Sequence, residues 1–186
     1  MNTGEPYGGR RLFLLRHALA MPVAGGDDAG RDLAPKGKED AEALGRYMNL
    51  KHYIPDLVLC SPAKRTRQTL DGLQARLNIP QLCFPDVLYA GSTGDYVHEI
   101  QKCPDGARNI LLVGHNPSIY ELIALLAGKG RDSLIQRLSE GYKPASLSVL
   151  HCPCDAWQDI QPGECEITEL VDPLDYNAPA RPTRWM

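Results

Sequence analysis

Four short apolar runs separated by helix-period stripes predict an α/β fold. The expected form is a single three-layer α/β/α domain whose mostly parallel central sheet carries helices on both faces. The runs are Leu12-Phe13-Leu14-Leu15, Leu57-Val58-Leu59-Cys60, Ile110-Leu111-Leu112-Val113 and the alternating Ser146-Leu147-Ser148-Val149-Leu150. Unbroken apolar stretches of this length fit strands buried on both faces. The chain has 186 residues, and at roughly 100–200 residues per domain that is one domain. A domain of this size removes about 70% of its unfolded surface from water, so it needs no disulfide or metal to hold it together.

The elements follow in chain order. The first residues are polar and Gly-rich, so 1–10 reads as a flexible segment preceding a domain over 11–175. The first strand runs into Arg16-His17. Ala41, Leu44, Gly45 and Met48 then keep the i, i+3, i+4, i+7 spacing of an amphipathic helix. The second strand runs into Ser61-Pro62, and the helix after it carries Lys64, Arg65 and Arg67 in its first turns and the stripe Leu70, Leu73, Leu77. The third strand runs into Gly114-His115-Asn116-Pro117, followed by the stripe Ile119, Leu122, Ile123, Leu126; the fourth ends at His151. Pro and Gly mark joints at Ala34-Pro35-Lys36-Gly37, Cys103-Pro104-Asp105-Gly106 and Gln161-Pro162-Gly163. Residues 176–186 lack apolar periodicity and read as a tail.

Composition excludes several function classes. Hydrophobic residues make up 43% and charged residues 23%, and 20 Lys plus Arg against 23 Asp plus Glu leave a formal charge of −3. There is no positive excess to bind nucleic acid or an anionic membrane surface. No apolar run approaches the roughly 18 residues that span a bilayer. The Leu12–Leu15 run is too short for a signal-peptide core, so a cytoplasmic protein is expected. The six cysteines then belong in a reducing setting. His151, Cys152, Cys154 and Cys165 have the residue types of a zinc site, but structural zinc sites usually carry CxxC-like pairs, and C-x-C is a weak signal. They read as core or surface thiols instead. Neither a phosphate-binding P-loop nor a dinucleotide glycine fingerprint is present, so nucleotide chemistry has no support.

What remains is a coincidence at the strand ends. In open α/β sheets a ligand lies beyond the carboxyl ends of the strands, and three strands end there in Arg16-His17, Ser61 and His115. Arg65 lies 48 and His115 98 residues beyond His17. Taken singly, each histidine could be a structural hydrogen-bonder and each cation part of a solvated helix face. Together they form a pocket rich in cations and free of carboxylates, which suits phosphate, because Arg binds its oxygens bidentately.

At these residues the sequence resembles the histidine phosphatase (phosphoglycerate mutase-like) superfamily. Leu14-Leu15-Arg16-His17 is similar to its signature strand end, and Leu33-Ala34-Pro35-Lys36-Gly37-Lys38-Glu39-Asp40-Ala41 to its L-T-x-x-G-x-x-Q-A segment. Ser61-Pro62-Ala63-Lys64-Arg65-Thr66-Arg67-Gln68-Thr69 is similar to S-P-x-x-R-x-x-Q-T, and Val113-Gly114-His115-Asn116-Pro117 to the second histidine's loop. Lys143-Pro144-Ala145-Ser146-Leu147-Ser148-Val149-Leu150, Trp157 and Leu170-Val171-Asp172-Pro173 look most like the short SixA branch of phosphohistidine phosphatases. The resemblance spans residues 11–174.

The resemblance implies that His17 is a nucleophile that becomes phosphorylated, with one ring nitrogen held by a backbone carbonyl. It implies that Arg16 and Arg65 grip the phosphoryl oxygens, that a protonated or donating His115 completes the pocket, and that Asn116 and Ser61 contribute to binding. Neither a metal nor a cofactor is required. Ala18 replaces the usual Gly after the histidine, so its backbone must avoid a Gly-only conformation. The mutase-type acid segment is unmatched at Leu88-Tyr89-Ala90-Gly91-Ser92-Thr93-Gly94-Asp95, leaving Asp27, Asp28, Asp95 and Glu99 as acid candidates. Phosphohistidine, whose leaving nitrogen can already carry its proton, needs such an acid less than a phosphate monoester does. Short connections after the catalytic strands predict an open pocket. A phosphorylated partner protein, such as one carrying a histidine-phosphotransfer domain, is the expected substrate and inorganic phosphate the product. The alternatives are a phosphomonoesterase or mutase on small sugar or glycerate phosphates, and a phosphate-binding module with little turnover.

Overall fold

The structure, a computed structural model, describes residues 9–23 and 25–177; most of the two expected terminal segments, 1–10 and 176–186, lies outside them. The elements are β1 (Arg10–Arg16), α1 (Pro35–Leu50), β2 (Leu57–Cys60), α2 (Lys64–Gln74), β3 (Gln81–Cys83), α3 (Val87–Ala90), α4 (Thr93–Gln101), β4 (Asn109–Gly114), α5 (Ser118–Leu126), β5 (Ala127–Gly130), α6 (Asp132–Ser139), β6 (Leu147–Cys152), β7 (Cys165–Val171) and α7 (Pro173–Tyr176), with one 3-10 turn, Trp157–Asp159.

The strands form one sheet in the order β3-β2-β4-β1-β6-β7-β5. β1 runs parallel to β4, β4 to β2, β2 to β3 and β5 to β7, while among the described strands only β6 runs against its neighbours, β1 and β7. β1 is central because its apolar run can be buried twice over: Leu12, Phe13, Leu14 and Leu15 are all fully buried. Alternate side chains leave opposite faces. Leu12 and Leu14 meet Tyr96 and Ile100 of α4 and Ile119, Leu122 and Ile123 of α5. Phe13 and Leu15 meet Leu44 and Met48 of α1 and Leu70 and Leu73 of α2. This is the expected three-layer arrangement.

α1 opens on Pro35 at its first turn, where a missing N–H costs nothing. The Ala34–Gly37 stretch is therefore a helix start as well as a joint. Gly37 permits the turn to sit on the chain leaving β1, since a Cβ there would lie 2.1 Å from the Leu19 carbonyl oxygen. α2 ends at Gln74, so Leu77, on the sequence stripe, falls beyond it yet stays buried. Two boundaries differ from the sequence reading. Arg10 belongs to β1, its guanidinium donating to the carbonyls of Asp105 and Ala107. Tyr176 closes α7 and donates to the Ala145 carbonyl, so this residue is docked rather than part of a tail. Among the described residues, no helix is long and apolar enough to cross a membrane.

Candidate active site

β1, β2 and β4 deliver their last residues to one edge of the sheet. The turn after β1 is anchored by the His17 N–H donating to Gly114 O (3.0 Å) and by the Ala145 N–H donating to His17 O (3.1 Å). Ala18 is fully buried against Leu33, Ala41 and Ala145 and does not require a positive φ, so alanine is accommodated. Its N–H donates to Thr69 Oγ1 (3.0 Å), whose hydroxyl donates to the Arg65 carbonyl (2.7 Å). Thr69 thus ties the His17 turn to α2.

The His17 ring is nearly buried. Nδ1 lies 2.7 Å from the Ala18 carbonyl, so Nδ1–H donates and Nε2 keeps its lone pair. Burial pushes its pKa down to about 4; the Ala18 carbonyl opposes the shift, and the charges of Arg65, Arg16 and Arg31 reinforce it. At neutral pH this histidine is an uncharged base with a fixed tautomer.

His115 stands beside it, with ring centroids 5.3 Å apart. Arg65 Nη2 lies 3.2 Å from His115 Nδ1, and Ser61 Oγ lies 2.8 Å from Nε2. A guanidinium only donates, so Nδ1 accepts and Nε2–H donates to Ser61. His115 is therefore neutral rather than protonated; it accepts at the nitrogen facing Arg65 and donates from the other. The reason is burial, then the Arg65 charge, which together with His17 and Arg31 bring its pKa to about 3 against a small opposing effect of Asp28.

Arg65 is buried, with Nη1 donating to the Asp28 carbonyl (2.6 Å) and Nη2 to Asp28 Oδ2 (3.0 Å). Arg16 Nη1 and Asn116 Nδ2 both donate to the Tyr142 carbonyl, at 2.6 and 3.1 Å. Arg16 Nε and Arg65 Nε are buried donors with no hydrogen-bond acceptor among the described residues. Buried unsatisfied cationic donors are costly, and an oxyanion bound between them would satisfy them. All six expected residues (Arg16, His17, Ser61, Arg65, His115 and Asn116) converge here. Arg67 does not: its guanidinium lies over the Phe84 ring, 4.7 Å from the centroid.

The site also holds Asp28, one of the acid candidates, together with Arg31 and Tyr89, which the sequence reading left out. The cationic pocket is therefore not free of carboxylates. Asp28 lies 2.9 Å from Arg31 Nε and accepts from Tyr89 OH (3.0 Å) in addition to Arg65. Desolvation raises its pKa, but the Tyr89 hydrogen bond and the charges of Arg65 and Arg31 outweigh that and hold it below the ordinary carboxylate value. Tyr89 stacks edge-on to His115 at 5.8 Å and lies under Arg65. Tyr89 comes from α3, whereas Asp28 and Arg31 arrive on a connection that is long, residues 17–34, rather than short, because it doubles back through the Ala20–Leu33 bridge and is fastened by Ala29 O accepting from Lys64 N. The connections after β2 and β4 are short, as expected. Of the four acid candidates only Asp28 reaches the site. Asp27 accepts from the Gly30 N–H, Asp95 is locked in the capping box of α4, and Glu99 pairs with Lys102. Tyr142 acts through its carbonyl, which no side-chain pattern reveals. Thr69 closes the Ser61–Thr69 motif and could have been read from it.

Residues 12–86 match the model of the histidine phosphatase superfamily (branch 1). An uncharacterized protein of Mycobacterium tuberculosis is 33% identical over 153 residues, covering 80% of this chain and 93% of its own. The phosphohistidine phosphatase SixA of Escherichia coli is 26% identical over 119 residues, covering 62% of this chain and 73% of its own. A solved structure from Nakamurella multipartitia, provisionally named a phosphohistidine phosphatase SixA, is 31% identical, with a TM-score of 0.76 over 90% of this chain and 98% of that one. The chain therefore belongs to the histidine phosphatase superfamily, in its SixA-type branch, and is a phosphatase.

Proposed function

We propose that the protein hydrolyses phosphohistidine on a partner protein, without a metal, through a phosphorylated His17. The observation that carries this reading is a neutral His17 with Nε2 unprotonated, set among arginines, next to a carboxylate that is ionised and so has no proton to give.

His17 Nε2 attacks phosphorus while Nδ1–H stays on the Ala18 carbonyl, which fixes the nucleophile's orientation. Arg16 and Arg65 take the equatorial oxygens, where negative charge is greatest in the transition state, and so fill the role that divalent ions play at other phosphoryl-transfer sites. The P–N bond to the substrate imidazole breaks. An imidazole protonated on its second nitrogen leaves neutral, so no general acid is called on. Water then attacks the phosphoryl group on His17, the Nε2–P bond breaks, and dihydrogen phosphate departs while His17 returns to its starting tautomer. His115 and Asn116 bound the oxyanion pocket, with Ser61 fixing the His115 ring. An alkoxide leaving group, by contrast, needs a proton from a group such as Asp28, whose partners all favour its charged form. Six free thiols fit a reducing cytoplasm as the setting.

The test is turnover of a phosphohistidine-bearing protein in EDTA, beside a panel of sugar and glycerate phosphates. We expect the phosphoprotein to be dephosphorylated and the monoesters to be poor substrates. Efficient monoester turnover with phosphohistidine inert would replace this reading with a phosphomonoesterase, and no turnover of either would leave a binding module.

A further inference from the structure

A second cluster of reactive groups lies at the far end of the sheet, where β1 begins and Arg10 pairs with Cys152. β6 and β7 run antiparallel with His151 opposite Glu166, so one step further Cys152 faces Cys165 across the ladder. Directly opposite residues in such a ladder have Cα atoms about 4.5–5.5 Å apart, within the span a disulfide bridges. The two sulfurs are 2.9 Å apart, and both residues are fully buried against Trp157 and Ile160. Cys154, two residues beyond Cys152, is only partly buried and packs against the same cluster. The described residues contain no group of three or more His, Cys, Asp or Glu side chains placed to hold a metal ion, so the zinc alternative gains nothing here.

We infer that Cys152 and Cys165 are a dithiol that closes to an inter-strand disulfide under oxidising conditions, with Cys154 as the point of entry. The contact with the Cys165 sulfur and burial both push the Cys152 thiol well above its ordinary pKa, so it stays protonated and shielded from solvent. A low-molecular-weight disulfide therefore meets Cys154 first. The Cys154 thiolate attacks it, forming a mixed disulfide and releasing one small thiol. Cys165 attacks the Cys154 sulfur and releases the second. Cys152 then attacks Cys165, and Cys154 is freed as a thiol. Each attacking thiol gives up its proton and each departing thiolate takes one, so one small disulfide is reduced to two thiols as two protein thiols are oxidised. The bridge closes the 14-residue loop from Cys152 to Cys165, which carries Trp157. It restricts the unfolded chain and leaves the phosphate-facing end of the sheet untouched.

The full chain is equilibrated in glutathione buffers of graded redox ratio, digested without reduction and mapped by mass spectrometry, with thermal unfolding and phosphatase activity measured in parallel. We expect a single Cys152–Cys165 cross-link, a thermal midpoint raised by several degrees and restored by dithiothreitol, and activity unchanged within twofold. Cys152→Ala should lose both the cross-link and the thermal shift. Cys154→Ser should form the same bridge at least tenfold more slowly. Thiols that stay free in fully oxidised buffer, a cross-link between other cysteines, or an oxidised form that melts no higher than the reduced one would each overturn the bridge. An unchanged rate in Cys154→Ser would overturn the entry route.

Discussion

At the scale of single residues, the site works by holding two histidines uncharged among cations. Three guanidiniums (Arg16, Arg31 and Arg65) act on His17, and Asp28 is the carboxylate that offsets them by pinning Arg65. If Asp28 positions Arg65 rather than donating a proton, Asp28→Asn should raise KM for a phosphohistidine substrate and lower kcat less than tenfold, leaving the pH profile of kcat in place. A fall in kcat of about 10²–10⁴-fold with the alkaline limb of that profile lost would mark Asp28 as a general acid instead. Arg65→Ala should reduce kcat/KM by about 10²–10³-fold, the loss typical when one donor to developing oxyanion charge is removed. Arg16, His17, Ser61, Arg65, His115 and Asn116 were legible because strand ends in an α/β sheet carry the ligand site and these residue types share one chemistry. Arg31 and Tyr89 were not. They reach the site from loop and short-helix positions with no periodicity, and a Tyr or Arg in such a place has many other uses.

At the scale of elements, α2 does more than carry Arg65. Gln68 Oε1 accepts from the Leu33 N–H (2.7 Å) and its amide donates to Asp32, while Thr69 holds the Ala18 N–H, so one turn of α2 fastens both ends of the loop over residues 17–34. Thr69→Val keeps the shape and strands a buried N–H, which costs about 1–3 kcal/mol. We expect that loss in urea unfolding, together with a lower kcat at nearly unchanged KM, because the His17 turn loosens while the arginines remain. Gly37→Ala should destabilise by about 1–3 kcal/mol through a backbone clash with Leu19; wild-type stability in this variant would contradict the close packing of α1 on that turn. The helices with full apolar stripes, α1 and α5, were readable from spacing. β5 (Ala-Gly-Lys-Gly) has no apolar signal and is a strand only because β7 pairs with it. α4 buries just Tyr96 and Ile100, and two buried positions on an otherwise exposed or half-buried helix leave little trace in sequence. β7 alternates too irregularly, its bulge against β6 breaking the period.

At the scale of the whole molecule, the near-neutral balance of charge conceals a local field, and that field links function to stability. His17 and His115 have folded-state pKa values depressed to about 4 and about 3, against an unfolded value near 6.5. Between those values and about 6.5 the unfolded chain binds more protons than the folded one, so stability falls as pH drops through that window and levels off below it. The effect of His17 alone is on the order of 3 kcal/mol. Urea midpoints should therefore decline from pH 7 to pH 4, with a shallower decline in His17→Asn; an equal slope in both proteins would contradict a buried, neutral His17. The overall architecture was the most legible feature, because it follows from apolar runs that must be buried on both faces. The reversal of β6 was not, since the sense of a strand is set by its connections and not by its own residues.

The central claim is that phosphate passes through His17. Labelled phosphohistidine protein is mixed with the enzyme in EDTA, quenched in alkali within a single turnover and mapped for phosphate. The account predicts a transient label on His17 of the wild-type protein and neither label nor turnover in His17→Asn. Turnover retained in His17→Asn, or label on any other residue, would contradict it.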